Sequence, residues 1–316
     1  MREKLPIAGC RLPMDSGDGV LCVAGRRVAR GEAESQPRSA QGFSLVELLV
    51  AMTLLTLIVV ALMAVFSSTQ RAFRASVTQT EVMEGSRETM ELMASDLSAT
   101  TPSGGVSNGP VNFSALANAN YLPLTNSLPG SASIRFNVLN YFFVLGRNNT
   151  TWTGTGYVVD PTSANPLYPL YRFYAETNIQ NSPATLYGQF YNEMQTPQWW
   201  TNSNFSHLID GVAHLTVHAY DPNGNWINAP AYTNAVNTEY FSDAYGEPQF
   251  FMFSNTVPAA VELELGVLED RTLARAESLP FQSPAQLGYL GGQSGTVHLF
   301  RQRVTIPNVD PTAYLP

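Results

Sequence analysis

The longest uninterrupted apolar segment of the chain runs from Leu45 to Phe66, and Glu47 is its only charged residue. At ~1.5 Å per residue an α-helix of this length extends about 33 Å, and the hydrocarbon core of a bilayer is ~30 Å thick. A carboxylate in lipid is unfavourable, by roughly 2.5–3.5 kcal/mol at the bilayer centre and by less near its edge. The pattern therefore predicts a transmembrane helix whose glutamate needs a positively charged partner.

Helical features continue beyond the apolar segment. No proline occurs between Phe43 and Thr101, and Gly85 is the only glycine in that stretch. We expect one helix from Phe43 to about Leu97, about 80 Å long, with its second half packed against a globular domain. A dimeric coiled coil is the alternative, but polar residues interrupt its seam. The stripe that predicts the packing recurs at three- and four-residue steps: Phe73, Val77, Thr80, Met83, Ser86, Met90, Met93 and Leu97.

After Pro102 the chain is rich in Asn, Ser, Thr, Gly, Pro and aromatic residues, and short segments of alternating polarity lie between turn residues. This pattern predicts β-strands. In one of them Glu262 and Glu264 alternate with aliphatic residues, so we expect one of its faces to be exposed to solvent. The predicted strands are 133–145, 157–159, 170–174, 212–220, 260–268 and 296–306; hairpin turns are predicted at Asn148-Asn149 and Asn223-Gly224, and long loops or small insertions at 161–200 and 228–249.

Composition changes sharply at Gly42. The residues up to that glycine hold 7 of the 17 Lys and Arg and both cysteines, Cys10 and Cys22, whereas the remainder has no cysteine, no lysine, 10 arginines and 20 acidic residues. The remainder therefore cannot form a disulfide framework or a thiolate metal site. Binding to nucleic acid is disfavoured, because its phosphate backbone is bound mainly by Lys and Arg. More basic residues precede the apolar segment than closely follow it, which predicts a cytoplasmic N-terminus.

Gly42, Phe43 and Glu47 stand at the spacing of a processing signature, directly before the apolar segment. The chain resembles type IV pilins and the pseudopilins of type II secretion. The resemblance implies that a prepilin peptidase removes residues 1–42, cleaving after Gly42 and methylating the new N-terminal Phe43. It also implies that Glu47 pairs with the N-terminal ammonium of an adjacent subunit during assembly. An ordinary membrane anchor and a signal peptide cleaved after the apolar run are the alternatives.

The C-terminal half resembles, more narrowly, the J-type minor pseudopilin of type II secretion. The resemblance is carried by 208–212, by 215–221 with Gly224 and Trp226, by 257–263, and by an arginine in the last strand, Arg301 or Arg303. About 30 residues separate Trp226 from Pro258, more than that family pattern usually holds. Alternatives are a minor type IV pilin for adhesion or motility, and a membrane-tethered binding or hydrolytic ectodomain.

The resemblance implies an α+β, pilin-like fold. Its expected parts are a leader at 1–42, a transmembrane half-helix at 43–66, an amphipathic half-helix at 67–98 and a periplasmic domain rich in antiparallel β-strands at 99–316. It further implies a non-enzymatic protein, anchored once in the bacterial inner membrane. Its partners would be the prepilin peptidase, other major and minor pseudopilins, the secretion platform of the inner membrane, and membrane lipid.

Candidate catalytic and metal-binding groups are sparse. His214 and His218 lie four residues apart on a predicted strand, about 13 Å, which is too far for one zinc ion, so we expect both on the solvent face. The segment from Asp221 to Trp226 begins like a calcium loop but lacks its glycine, which favours a hairpin turn. Weak calcium candidates lie in the following loop: Glu239, Asp243 and Glu247. A cluster of Tyr187, Tyr191 and Trp199-Trp200 is core, a subunit contact, or a stacking surface for a glycan or an exported protein.

Overall fold

The computed structural model describes residues 44–104, 109–117, 122–127, 134–228, 237–242 and 247–314. Gly42, Phe43 and the whole predicted leader lie outside these residues. The chain divides into two compact units, Met1–Leu62 and Met63–Pro316. The protein has a long apolar N-terminal helix followed by a C-terminal domain of antiparallel β-sheet, so the predicted α+β class is confirmed.

The first helix, α1, spans Leu45–Ser98 without interruption. Its first part, Leu45–Phe73, is long and apolar enough to cross a membrane, and its side chains are exposed throughout that stretch. Such exposure of aliphatic residues is unfavourable in water and favourable in lipid. This helix is compatible with a single-pass membrane anchor.

Within the second unit, Val82 is the first buried residue of α1 among the side chains that the structure describes. From there, Ser86, Met90, Met93 and Leu97 are buried in the domain. The prediction that the earlier part of the stripe packs there is wrong, because Phe73 is 71% exposed and Val77 and Met83 are also exposed. Periodicity indicates that a face is apolar but does not indicate what covers it.

In the described part of the domain the strands form two main sheets and a separate two-stranded ribbon, and neighbouring strands pair antiparallel. The order is β7-β6-β5-β4-β1-β10-β9 in the seven-stranded sheet and β12-β11-β8 in the three-stranded sheet, while β2 pairs with β3. The strand bounds are β1 Val111–Ala117, β2 Leu122–Ser127, β3 Ile134–Asn137, β4 Asn140–Asn148, β5 Thr151–Val159, β6 Leu170–Asn178, β7 Phe205–Ile209, β8 Val212–Tyr220, β9 Thr238–Ser242, β10 Pro248–Phe253, β11 Ala260–Leu268 and β12 Val297–Thr305.

Two apolar cores lie on opposite faces of the seven-stranded sheet. Neighbouring residues of β4 contribute to different cores, because successive side chains of a strand point to opposite faces. Phe142 belongs to the larger core, which also contains residues of α1 and of the three-stranded sheet. Phe143 belongs to the smaller core, where it stacks on Phe190 at 5.7 Å between ring centroids. Phe190 lies on α2, Ala184–Met194, so this helix covers the second face.

The predicted strands differ in how closely their bounds match those of the observed strands. Strands 212–220 and 260–268 are confirmed residue by residue as β8 and β11, and 296–306 is confirmed within one residue at each end. The continuous strand predicted at 133–145 is wrong, because β3 and β4 are separate strands. The strands predicted at 157–159 and 170–174 are the ends of the longer β5 and β6.

The segments predicted as loops contain regular structure. Helix α2 and the whole of β6 fall within 161–200, and β9 falls within 228–249, part of which lies outside the described residues. Two further short helices, α3 Asp270–Glu277 and α4 Pro284–Gly291, were not predicted. Helix α4 begins with Ser283, whose hydroxyl accepts a hydrogen bond from the Gln286 N–H, followed by Pro284 in the first turn. Both are common helix-start features.

Candidate functional site

The N-terminal end of α1 is closed by two reciprocal hydrogen bonds. The N–H of Ser44 donates to Glu47 Oε2 at 3.0 Å, and the N–H of Glu47 donates to Ser44 Oγ at 3.2 Å. This arrangement is a capping box, in which a serine and a glutamate three residues later satisfy two free donors of a helix start. The sequence Ser44-Leu45-Val46-Glu47 contains the three-residue spacing of this signal, in addition to the processing signature.

The capping box gives the carboxylate of Glu47 a fixed place at the edge of the apolar segment. The positive end of the helix dipole stabilises a negative group there, and Ser44 satisfies one carboxylate oxygen. Among the described residues, no hydrogen bond or ion pair engages the other oxygen, Oε1. A carboxylate held this way can accept a cation. The two residues of the predicted cleavage site, Gly42 and Phe43, lie outside the described residues.

The two histidines of β8 do not lie on a solvent face, as predicted. His214 is buried, at 6% exposure, and its Nδ1 accepts a hydrogen bond from the Val138 N–H at 3.2 Å. His218 is partly buried, with its ring 4.7 Å from the ring of Trp226. Burial lowers the pKa of His218, a shift that the charge of Glu264 opposes. The prediction failed because Val138, which precedes β4, and Trp226, which follows β8, cover this face.

The face of β11 that was expected to be exposed is also covered. Glu262 and Glu264 lie beneath Arg301 of β12, whose guanidinium bonds Glu262 and lies 3.2 Å from Glu264 Oε1. Glu262 is only 8% exposed. The prediction of a solvent face on this strand is therefore wrong. The single positive charge of Arg301 is shared by the two carboxylates, which lowers the cost of shielding them from water.

Only two of the three calcium candidates, Glu239 and Glu247, lie within the described residues. Among the described residues, no group of three or more His, Cys, Asp or Glu side chains is arranged to hold a metal ion. Glu239 lies exposed on β9, Glu247 precedes β10, and Asp243 lies outside the described residues. Asp221 instead closes a turn: its Oδ1 accepts from the Asn225 N–H at 2.8 Å, and Gly224 adopts φ +83°. The hairpin-turn interpretation of this segment is confirmed.

An ion pair between α1 and the seven-stranded sheet was missed. Asp96 accepts hydrogen bonds from Arg172 Nε at 2.8 Å and Arg172 Nη2 at 3.0 Å, and also from the Tyr157 hydroxyl. Burial and then the charge of Asp96 raise the pKa of Tyr157. Burial lowers the pKa of Arg172, but Asp96 more than offsets this effect, so the net shift is upward. No short-range pattern could have revealed partners 76 residues apart.

The aromatic cluster belongs mainly to the smaller core. Tyr187 contacts Phe143 edge to face at 5.4 Å, and Trp199 contacts Phe205 at 4.8 Å between ring centroids. Tyr191 and Trp200 keep more than a third of their surface exposed. The core interpretation is thus confirmed for the inner members of the cluster.

Comparison with known proteins returns one finding. Residues 37–65 match the family model described as the prokaryotic N-terminal methylation motif. No curated protein and no solved structure is significantly similar to the chain. The matched residues contain the predicted cleavage position, the capping box and most of the exposed apolar segment.

Proposed function

We propose that this chain, which carries the N-terminal methylation motif of the type IV pilin and pseudopilin class, is a minor pseudopilin of a type II secretion system. The observation that carries the proposal is the match at residues 37–65 directly before and within a helix that is apolar, exposed and long enough to span a membrane. Proteins of this class serve as structural subunits, so we assign no catalytic residue.

In the proposed mechanism the protein waits in the inner membrane with its N-terminus in the cytoplasm and its β-domain in the periplasm. Prepilin peptidase cleaves after Gly42 and methylates the amine of Phe43. The Glu47 carboxylate, held by Ser44 through Oε2, then receives the ammonium of a neighbouring subunit at Oε1. Because an unpaired carboxylate is unfavourable in lipid, only the axial offset that brings these two groups together is stabilised.

The J-type assignment is supported by the arrangement of the residues that carry the resemblance. Strands β8 and β11 are neighbours in one sheet, the turn closed by Asp221 directly follows β8, and Arg301 of β12 lies over the glutamates of β11. A J-type subunit would act at the tip of a short pseudopilus with other minor pseudopilins. A minor type IV pilin would share the same processing. Genes for a secretin and a secretion ATPase beside this gene would favour the secretion assignment.

The test is the mass and first residue of the native polypeptide extracted from membranes. We expect the chain to begin at a methylated Phe43, and Gly42→Val to leave the leader attached. We expect Glu47→Ala to be inserted and cleaved normally but to be lost from filaments, while Glu88→Ala, an exposed glutamate of the same helix, is incorporated as the wild type is. A native chain with another first residue, or normal incorporation of Glu47→Ala, would contradict the proposal.

A further inference from the structure

Strand β12 is an edge of the three-stranded sheet and offers backbone groups on its outer side. The N–H of Ile306 bonds the carbonyl of Ala259, and the N–H of Glu269 bonds the carbonyl of Thr296. Hydrogen-bonded pairs alternate along an antiparallel ladder, so the even-numbered residues of β12 direct their N–H and C=O groups to β11. The odd-numbered residues direct theirs outward: Val297, Leu299, Arg301, Arg303 and Thr305.

The other described sheet edges are short or covered. The outer side of β8 is occupied, because the Leu215 N–H bonds the Val138 carbonyl and the Ile227 N–H bonds the Ala219 carbonyl. The edges of the seven-stranded sheet, β7 and β9, have five residues each. Strand β12 has nine, and no described residue bonds its outer side. A long free edge is the place where another strand can be added.

Charged side chains usually guard such an edge, but here they are turned away from it. Arg301 folds back over β11 to contact Glu262 and Glu264. The guanidinium of Arg303 lies 4.0 Å from the ring centre of Tyr220, on β8. Both arginines therefore lie across the face of the sheet and leave the edge of β12 open.

The open edge adjoins a groove against α1. A cavity of about 440 Å³ is lined by Arg87, Met90 and Glu91 of the helix and by residues 299–302 of β12. Arg87 and Glu91 pair with each other at 3.1 Å. Leu299 is 50% exposed at this edge. Since the charges of the groove are already paired within the chain, it favours an uncharged occupant that adds backbone hydrogen bonds and aliphatic contacts.

We propose that the groove between α1 and β12 binds an extended, uncharged segment of another pilin-like subunit, which adds to the sheet as a fourth strand beside β12. Aliphatic side chains at alternating positions of that segment would contact Leu299 on one face of the sheet and Phe300 on the other. The identity of the donor as a fellow subunit rests on the proposed function; the docking edge itself rests on the geometry.

The direct test is hydrogen exchange of the full chain, comparing the detergent-solubilised monomer with the protein in assembled filaments from the native host. The amides of Leu299, Arg301 and Arg303 should exchange at least ten-fold more slowly in filaments. Those of Phe300 and Gln302 are the internal control, because they already bond β11. Equal exchange of the odd-numbered amides in both states would overturn the proposal.

Two variants test the same edge by assembly. Leu299→Pro removes one outward donor without removing a bond to β11, and Leu299→Lys adds a charge to the groove. Each should reduce incorporation into filaments at least ten-fold. The matched control is Phe241→Lys, which changes a 40% exposed aromatic residue on the edge strand β9 and should incorporate normally. Normal incorporation of both Leu299 variants would contradict the proposal.

Two further measurements separate the possible failures. A chain that never acquires Phe43 as its first residue contradicts the proposed function, whereas correct processing with an unprotected β12 contradicts only the docking edge. The chain after Gly42 lacks cysteine, so Leu299→Cys provides a single thiol. We expect it to form a disulfide with cysteines placed in another subunit. Efficient disulfide-linked homodimers in filaments would instead identify a second copy as the occupant and overturn the proposed partner.

Discussion

Asp96, in the last turn of α1, forms a two-bond ion pair with Arg172 of β6, and both side chains are largely shielded from solvent. Bidentate pairs of this kind fix orientation as well as distance. The pair therefore sets the rotation of the end of α1 against the seven-stranded sheet. Tyr157 of β5 donates its hydroxyl to the same carboxylate, so three elements meet at one acidic group.

Replacing the carboxylate should destabilise the domain markedly. Asp96→Asn removes the counter-charge of Arg172 and one strong acceptor, and a hydrogen bond to a charged group contributes about 1.5–3 kcal/mol. We expect the free energy of unfolding to fall by about that amount in urea titrations of the full chain in detergent. The control is Glu91→Gln, which breaks the exposed Arg87–Glu91 pair and should change stability by no more than about 0.5 kcal/mol. Equal effects of the two substitutions would contradict the importance of the shielded pair.

Replacing two glycines by alanine should change the stability of the domain in opposite directions. One glycine lies on β5 beneath α2, and the other lies within α2. A Cβ added to Gly156 of β5 would lie 2.5 Å from Phe190 Cε2, whereas one added to Gly188 of α2 meets nothing within 4 Å. We expect Gly156→Ala to cost about 1–3 kcal/mol through overpacking. Gly188→Ala should stabilise the domain by about 0.5–1 kcal/mol, because glycine disfavours a helix interior. Thermal unfolding of both variants measures the difference, and a destabilised Gly188→Ala would show that α2 packs differently.

The sequence predicts the parts of this fold whose pattern is local. Strands β8 and β11 were found at their true ends because aliphatic residues alternate along them. Strand β1 was missed although apolar and polar residues alternate from Val111 to Ala115. Its polar residues Asn112 and Ser114 are buried, so here the alternation does not mark an exposed face. The covering of His214 by the backbone at Val138 and the pairing of Asp96 with Arg172 depend on residues distant in the chain, and spacing cannot reveal them.

The candidate site was predicted for the same local reason. Its residues lie within a few positions of one another, and the methylation motif matches the same stretch. The reciprocal bonds of Ser44 and Glu47 also obey a three-residue spacing and were available to sequence reasoning as a capping box. By contrast, the open edge of β12 could be recognised only once its neighbours in the sheet and the direction of its arginines were known.

The ring of His218 should make stability depend on pH. Burial lowers its pKa below the ordinary 6.5, against the opposing charges of Glu264 and Glu262 and with a smaller contribution from Arg301. The unfolded chain therefore binds a proton more readily than the folded chain. This contribution to stability is fully present above pH 6.5 and is lost as pH falls through the lower folded pKa.

Urea titrations at several pH values test this contribution. The wild type should lose stability between pH 6.5 and the lower folded pKa, and His218→Gln should lose less over the same range. The matched control variant is His298→Gln on β12, which should lose stability over this range as the wild type does. A wild-type profile that His218→Gln leaves unchanged would rule out a role for this ring.

The capping box at the start of α1 predicts a measurable change at a single amide. In Ser44→Ala the Glu47 N–H loses its acceptor, and the loss of a serine cap costs about 1 kcal/mol, equivalent to roughly five-fold faster exchange of that amide. Ser44→Thr keeps a hydroxyl at the same place and should behave as the wild type. Residue-resolved hydrogen exchange in micelles is the measurement. Because the box uses only Ser44 and Glu47, the same difference should persist in a chain that begins at Phe43; equal rates in Ser44→Ala and wild type would mean that Glu47 is held by another group.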